Sequence, residues 1–196
     1  MNWKSLPLAL VASALIWAAF AAEKTGDKSH KLASVSIRKM ADSLHTVIAA
    51  DRQTYSELVV QRWDDDAHRV AVREDWRESH GLPMHAQMLR HAAQSIQKHG
   101  AEFSYTLRSL WPINKGHGPQ TEVEQAGLEA VVRNPDQPFY TEEELGGRSY
   151  FTAIYADRAT LPSCVSCHNK HPGSPKKDFR RGDVMGAIVV RVPLEF

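Results

Sequence analysis

VMGAIVVRV, residues 184–192, is rich in β-branched side chains and predicts a strand near the end of the sequence. Two stretches further upstream, residues 103–107 and 150–155, alternate apolar and polar side chains as half-buried strands do. The three predicted strands are well separated along the sequence, and helical patterns come before them. This order favours an α+β fold with a mainly antiparallel sheet.

The first half of the sequence has helical periodicity. Residues 31–63 carry apolar side chains at steps of three and four without Pro or Gly, which predicts one long amphipathic helix. Shorter helices are predicted over residues 67–78, 84–98 and 121–133. The last of these opens with a capping box, because Thr121 is followed three positions later by Glu124.

The only two cysteines of the sequence form the pentapeptide Cys164-Val165-Ser166-Cys167-His168, a pattern typical of covalent attachment of a c-type haem. Two thiols add to the two vinyl groups of one haem, and the adjacent histidine binds the iron. The motif therefore predicts one covalent haem c, with Cys164 and Cys167 as anchors and His168 as the proximal axial ligand.

Three other interpretations of the two cysteines remain open. A redox-active disulfide normally opens a helix after a strand, whereas residues 161–163 and 171–175 predict a loop on both sides of the motif. Zinc could bind both thiols with His168 and His171, although no second ligand pair follows at the usual spacing. A structural disulfide is the third interpretation, and it leaves the adjacent histidine unexplained.

The N-terminal residues have the features of an export signal. A short basic start precedes an almost wholly apolar stretch over residues 6–20, and Ala19-Phe20-Ala21 fits the small-x-small cleavage pattern. We expect a signal peptide over residues 1–21 and a single mature domain over residues 22–196. The protein is then periplasmic.

An uncleaved membrane anchor is the alternative to a signal peptide. The apolar stretch over residues 6–22 has 17 residues and contains Pro7, near the lower limit of about 17–25 residues for a spanning helix. Both interpretations place the folded part of the chain outside the cytoplasm, and only the anchor predicts contact with a membrane.

Composition narrows the range of partners. The chain has 196 residues, of which 42% are hydrophobic, with 24 basic and 23 acidic side chains. One domain with a substantial core is expected from a chain of this size. The near balance of charge gives no electrostatic reason to expect nucleic acid or anionic lipid as a partner.

The position of the motif argues against an ordinary small cytochrome c. In that fold the attachment motif lies near the N-terminus and a distal methionine follows far downstream, whereas only 28 residues follow His168. The one methionine after the motif, Met185, lies in a predicted strand, where packing is its expected role. We therefore expect the second axial ligand to come from upstream.

Five segments, taken in order, give the chain a resemblance to a known family: Asp51–Tyr55, Trp111–Asn114, Cys164–Asn169, Ser174–Phe179 and Gly182–Gly186. The sequence resembles the exported single-haem c-type family with a PAS-like fold, long catalogued as a domain of unknown function. The resemblance implies a PAS-like antiparallel sheet with a long N-terminal helix and flanking helices, and a haem held against the sheet. It implies no established reaction.

The resemblance leaves the sixth iron ligand open. Some relatives use a cysteine there, and this chain has none outside the motif. On the predicted long helix, His45, Arg52 and Tyr55 fall on one narrow face, where His45 would be a distal ligand and the other two would line a distal pocket. Alternatively, His45 and Arg52 are solvated and Tyr55 belongs to the core.

The predicted third helix supplies a second set of candidate ligands, two methionines and two histidines at helical spacing: Met84, His85, Met88 and His91. Near the motif, Arg180 and Arg181 belong to a basic cluster that could neutralise haem propionates. A solvated loop is the alternative explanation, at least for the two lysines of that cluster, Lys176 and Lys177.

Two classes of function follow from these patterns. The preferred one is an exported monohaem cytochrome for one-electron transfer or a related redox role, with a redox protein as its partner. The alternative is a periplasmic haem-based sensor of redox state or of a diatomic gas, which would act through a signalling partner. Enzymatic activity has the least support, because it requires an open distal site with an acid–base group.

Overall fold

In the computed structural model, residues 35–61 and 72–195 are described. The described α-helices are α1 (Ile37–Tyr55), α2 (His85–Lys98), α3 (Glu122–Arg133) and α4 (Pro162–Lys170). The described strands are β1 (Val72–Arg73), β2 (Leu82–Pro83), β3 (Ser104–Arg108), β4 (Phe139–Leu145), β5 (Arg148–Arg158) and β6 (Val184–Pro193). A π-helical segment, Ser56–Gln61, continues α1, and a single 3-10 turn covers Lys115–His117.

The main sheet has four antiparallel strands in the order β3-β6-β5-β4. Strand β6 lies inside the sheet, and all of its residues are buried. Its residues alternate between two faces. On one face Ile188 and Val190 pack with residues of α1 and α2, and on the other Val189 packs with Leu128 of α3. Helices on both faces explain why the quoted stretch is apolar almost throughout.

Arg191 is the charged exception within β6. Its guanidinium lies 2.9 Å from Oε1 of Glu124 on α3 and 2.7 Å from Oε1 of Glu143 on β4. The Arg191 side chain is 10% exposed, and the two carboxylates are still less exposed. A buried charge is tolerated when it is paired and hydrogen-bonded, so this cluster joins α3, β4 and β6 through one guanidinium.

Local sequence sets the ends of α1. The Ser36 hydroxyl accepts a hydrogen bond from the Lys39 N–H (3.3 Å) and caps the first turn. At the other end the hydrogen-bonding pattern widens to the π-helical segment, and the Ser56 hydroxyl donates to the Arg52 carbonyl. Such π-helical insertions occur frequently at functional sites, and Ser56 and Val60 of this one line a small pocket of about 30 Å³.

A β-bulge interrupts the pairing of β5 with β6. Asp157 pairs with Gly186, whereas the next residue, Arg158, pairs with Val184. A bulge bends a strand and redirects its side chains. At Gly186 the backbone of β3 approaches so closely that a Cβ would lie 2.5 Å from the Arg108 carbonyl oxygen. The bulged end of the sheet is where the candidate site lies.

The predicted α+β class, with a long N-terminal helix packed on an antiparallel sheet, is confirmed. Strands β3, β5 and β6 and helices α2 and α3 occur where periodicity predicts them. Within the described part of the first predicted helix, residues 37–55 are α-helical and residues 56–61 are π-helical, whereas residues 35 and 36 precede the helix.

Two sequence predictions are wrong. Residues 72–78, the described part of the predicted second helix, form β1 and turns, because β1 pairs in parallel with β2. The pentapeptide of the two cysteines does not lie in a loop, because Pro162 opens α4 just before it. Proline suits the first helical position, where its missing N–H would have no helical partner.

Several predictions fall outside the described residues: the signal peptide over residues 1–21, the start of the long helix over 31–34, and residues 67–71 of the second predicted helix. None of the helices in the described ranges combines the length and the apolar character that crossing a membrane requires.

Candidate functional site

A cavity of about 560 Å³ lies beside the bulged end of the sheet. Ligand pockets commonly measure about 300–1,000 Å³, so this cavity has room for a sizeable group. Its wall includes side chains of α1, α4 and the first turn of α2, together with the ends of β3 and β6. Both apolar and basic side chains line it, with Leu107, Trp111 and Ile113 among the apolar ones.

Helix α4 places both cysteines and the adjacent histidine on the cavity wall. Cys164 and Cys167 are three residues apart and His168 follows four after Cys164, so the three side chains share one helix face. Cys164 is buried in a small cluster with Ala159, Phe179 and Met185. The helix thus presents its reactive groups inward.

The end of α4 is held in position by a reciprocal pair of hydrogen bonds. The Asn169 side-chain amide donates to the Phe179 carbonyl (2.9 Å), and the Phe179 N–H donates back to the amide oxygen of Asn169 (3.0 Å). The Phe179 ring meets His168 edge-on, with centroids 5.8 Å apart. Both interactions fix the orientation of the histidine relative to the cavity.

His168 carries an unsatisfied buried group. Its Nδ1 is buried and has no hydrogen-bond partner among the described residues. Burial lowers the pKa of His168, and the nearby charges of His171 and Arg52 lower it further. This shift favours the neutral imidazole, the form in which histidine binds metals. Leaving such a group unpaired costs about 1–3 kcal/mol, which indicates that a further group completes the site.

His85, the first residue of α2, is the second imidazole of this kind. Part of its surface lines the cavity, yet protein surrounds the ring closely enough that burial lowers the pKa of His85 to about 3. Arg52, His168 and Arg90 add smaller contributions in the same direction. No part of the chain that the structure describes forms a hydrogen bond with its ring nitrogens.

Arg52 and Asp157 form a largely buried ion pair on the wall. Arg52 Nε lies 2.8 Å from Asp157 Oδ1, and the two side chains are 5% and 14% exposed. The N–H is not aligned for a hydrogen bond, so the contact is mainly electrostatic. Burial raises the pKa of Asp157, and Arg52 opposes that shift.

Two further cations reach the cavity, Arg90 and Arg108. Arg108 Nε lies 3.1 Å from Oε2 of the buried Glu124. Arg90 Nη1 lies 2.8 Å from Nδ1 of His117. Burial lowers the pKa of Arg90, against the effect of Glu74. Since Arg108 already has a carboxylate partner, Arg90 is the better placed of the two to meet an added anion.

Six of the residues predicted from the sequence come together on this wall: Arg52, Met84, His85, Cys164, Cys167 and His168. On α1, His45 instead stacks on Tyr155, with centroids 3.8 Å apart. The Tyr55 hydroxyl donates to the Pro83 carbonyl (2.8 Å).

The remaining predicted residues lie elsewhere in the fold. Met88 packs against the core cluster between α1, α2 and the sheet. His91 meets Trp76 edge-on at 5.9 Å. Arg180 and Arg181 are exposed, and Arg181 Nε donates to the Thr160 carbonyl.

Sequence reasoning missed several residues of the wall, chiefly Arg90, Arg108, His117 and Asp157. No local pattern marks them, because their proximity depends on how β3, β5 and α2 pack together. The segment Trp111–Asn114 did carry a motif, and all four of its residues line the cavity.

The fold and the site define an α+β protein with a cavity at one end of its sheet, into which one helix presents two thiols and an imidazole. The chain belongs to the Tll0287-like family, whose model matches residues 28–193. This match confirms the family resemblance drawn from the motifs.

Among solved structures, the chain is similar to the cyanobacterial haem protein Tll0287. The two share 19% identity over 78% of this chain and 96% of that chain, with a TM-score of 0.48. No curated protein matches the chain.

Proposed function

We propose that this protein binds one haem covalently through Cys164 and Cys167, with His168 as an axial ligand, and that it serves one-electron transfer. One observation carries the proposal: the three residues share one face of α4 and line the same cavity of about 560 Å³. A disulfide or a reactive thiol would not require the adjacent histidine to face that cavity.

The chemistry of the wall supports haem as the occupant. Haem is a flat, mostly apolar ring that carries carboxylates, and the wall combines Leu107, Trp111 and Ile113 with basic side chains. The buried Nδ1 of His168 has no hydrogen-bond partner among the described residues, which supports the binding of a further group at this helix. Family membership adds support, because Tll0287, which gives the family its name, is a haem protein.

We assign the contact with a haem propionate to Arg90 rather than to Arg180 and Arg181. A propionate needs a cation on the wall of the cavity, where Arg90 lies beside His117, whereas the other two are exposed. Haem iron in such a site supplies a one-electron couple whose potential is set by its axial ligands and its burial.

The proposal includes a redox partner and a location outside the cytoplasm. Electron transfer needs a partner protein rather than a bound substrate, and attachment of haem c is expected on an exported chain. The sequence of residues 1–21 supports export. N-terminal sequencing of the protein from cells tests it, and a chain that begins at Met1 would favour the anchor.

A haem-based sensor is the second candidate function, and the Arg52–Asp157 ion pair favours it. This pair ties α1 to β5 at the cavity wall, so a change at the haem would alter the packing of the long helix. Such a protein would pass the change to a signalling partner. Reversible binding of carbon monoxide or nitric oxide to the reduced wild-type protein would favour sensing over electron transfer.

The attachment test uses protein produced with a c-type haem maturation system. We expect acid–acetone extraction to leave the haem on the wild-type chain and on the control Ser166→Ala, which alters α4 between the two thiols. The double variant Cys164→Ala/Cys167→Ala should retain none. Retention of unextractable haem by the double variant, or its absence from the wild type, would refute the proposal.

A further inference from the structure

The structure assigns the second axial position of the proposed haem to His85, the first residue of α2, and we infer a bis-histidine iron site. The assignment rests on the haem site proposed above. It selects one residue from the upstream candidates and predicts a six-coordinate iron in both oxidation states.

Shared walls place His85 beside the attachment helix. His85 and His168 both line the main cavity, and both line a small adjoining pocket of about 30 Å³ together with the two cysteines. They come from α2 and α4, two helices that are far apart in the sequence and that the fold brings together at this cavity. Two axial ligands of one metal need this arrangement, in which separate elements lead two donor groups into one space.

The histidines of the wall differ in what they already bind. Of the four that the described residues place there, His117 contacts Arg90, and both ring nitrogens of His171 are occupied. The Nδ1 of His171 accepts from the Gly173 N–H, and its Nε2 lies 3.3 Å from Glu74. In the same part of the chain, the rings of His85 and His168 have no hydrogen-bond partner.

The backbone that carries His85 is held on both sides. Two residues before it, the Pro83 carbonyl accepts a hydrogen bond from the Tyr55 hydroxyl (2.8 Å). Two residues after it, the Gln87 side chain accepts from the Met84 N–H (2.9 Å) and donates to the Glu74 carbonyl (2.8 Å). A ligand held in this way needs little ordering when it binds. Tyr55 is thus a positioning residue for His85.

The other potential donors are less suited. Arg52 is a cation engaged by Asp157 and has no free lone pair to offer. Met185 is 5% exposed and packs with Cys164 and Phe179 in the core. Met84 precedes His85 and lines the same cavity, so the experiment must separate these two neighbours.

The test compares His85→Ala with His91→Ala, a matched change on the same helix at a ring that packs against Trp76. The pyridine haemochrome assay first measures covalent haem in each protein. We then expect low-spin spectra from the wild type and from His91→Ala, with no carbon monoxide adduct after reduction. His85→Ala should become high-spin and bind carbon monoxide, and added imidazole should restore the low-spin spectrum.

Two further variants separate sulfur from nitrogen ligation. Met84→Leu should leave the absorption and electron paramagnetic resonance spectra unchanged. His85→Met should remain foldable and raise the reduction potential, because a methionine ligand raises it. An unchanged potential in His85→Met together with a high-spin Met84→Leu would transfer the assignment to Met84 and overturn this one.

The outcomes distinguish this inference from the proposed function. A wild-type chain without covalent haem would overturn both. Covalent haem at wild-type occupancy in a His85→Ala protein that stays low-spin would overturn the His85 assignment alone, and so would a high-spin wild type.

Discussion

Arg52 Nε lies 2.8 Å from Asp157 Oδ1, and this ion pair joins the long helix α1 to β5 where the bulge interrupts the sheet. Both side chains are largely buried, and both line the cavity. Asp157 lies two residues beyond Tyr155 on the face of β5 that packs against α1, so the ordinary alternation of a strand brings its carboxylate to Arg52. The pair therefore links the framework of the fold to the wall of the site.

Asp157→Asn should strongly destabilise the protein. Removing one partner leaves Arg52 as an uncompensated buried charge, which costs about 3–5 kcal/mol. Urea unfolding followed by circular dichroism measures the loss. The control Asp136→Asn breaks the contact of an 88% exposed side chain with Arg158 and should cost at most about 1 kcal/mol. Equal losses in the two variants would contradict the burial of the pair.

Tyr55→Phe tests whether Tyr55 positions His85. The variant loses the hydrogen bond to the Pro83 carbonyl, worth about 0.5–1.5 kcal/mol, while the ring keeps its packing. In haem-loaded protein we expect part of the iron to become high-spin and to bind carbon monoxide after reduction, which the wild type should not do. Tyr150→Phe, at the far end of β5, is the control and should leave the spectrum unchanged. A Tyr55→Phe protein that stays fully low-spin and binds no carbon monoxide would remove the positioning role.

Gly186→Ala should distort the bulged end of the sheet. The added Cβ would lie 2.5 Å from the Arg108 carbonyl oxygen, which is backbone and cannot move aside alone. Overpacking of this kind costs about 1–3 kcal/mol. The control Gly118→Ala has its nearest neighbour at 3.5 Å and should stay within about 0.5 kcal/mol of the wild type. Thermal unfolding measures both, and a stable Gly186→Ala protein would contradict the close strand contact.

The free energy of unfolding should decrease as the pH falls, in part because of His45. Burial against Tyr155 lowers the pKa of His45, and Asp42 opposes this only partly. The unfolded chain, with an ordinary pKa of about 6.5, then binds the proton more tightly than the folded protein. The contribution of His45 is complete above that pKa and is lost as the pH falls below it.

The variant His45→Gln should therefore show a shallower decrease of unfolding free energy below about pH 6.5. The control His99→Gln changes an exposed histidine at the end of α2. Urea unfolding at several pH values measures the slopes. If His45→Gln kept the full wild-type slope while His99→Gln flattened it, the pH dependence would belong to the exposed residue.

The elements that the sequence predicted are those whose periodicity is local. Strand β6 and helices α2 and α3 carry their own patterns, so they were placed correctly. Strand β4 was missed because Glu142–Glu144 interrupt its apolar alternation. The predicted helix at residues 72–78 failed because β1 is set by pairing with β2, a contact that no local pattern shows.

The site could be predicted only where a motif or helix spacing marked it. The pentapeptide at Cys164 gave the two thiols and the imidazole that α4 places on the cavity wall, and helical spacing gave Arg52 and His85 among several candidates. Asp157 and Arg90 reach the cavity through packing between elements that are far apart in the sequence, which a sequence alone does not display.

Covalent haem at the two cysteines is the central claim, and mass spectrometry of one tryptic peptide tests it most directly. Cleavage after Arg158 and Lys170 releases residues 159–170, which contain both cysteines and His168. For protein matured with haem c, we predict that this peptide carries the added mass of one haem and absorbs visible light. The unmodified peptide with two thiols or one disulfide would contradict the account.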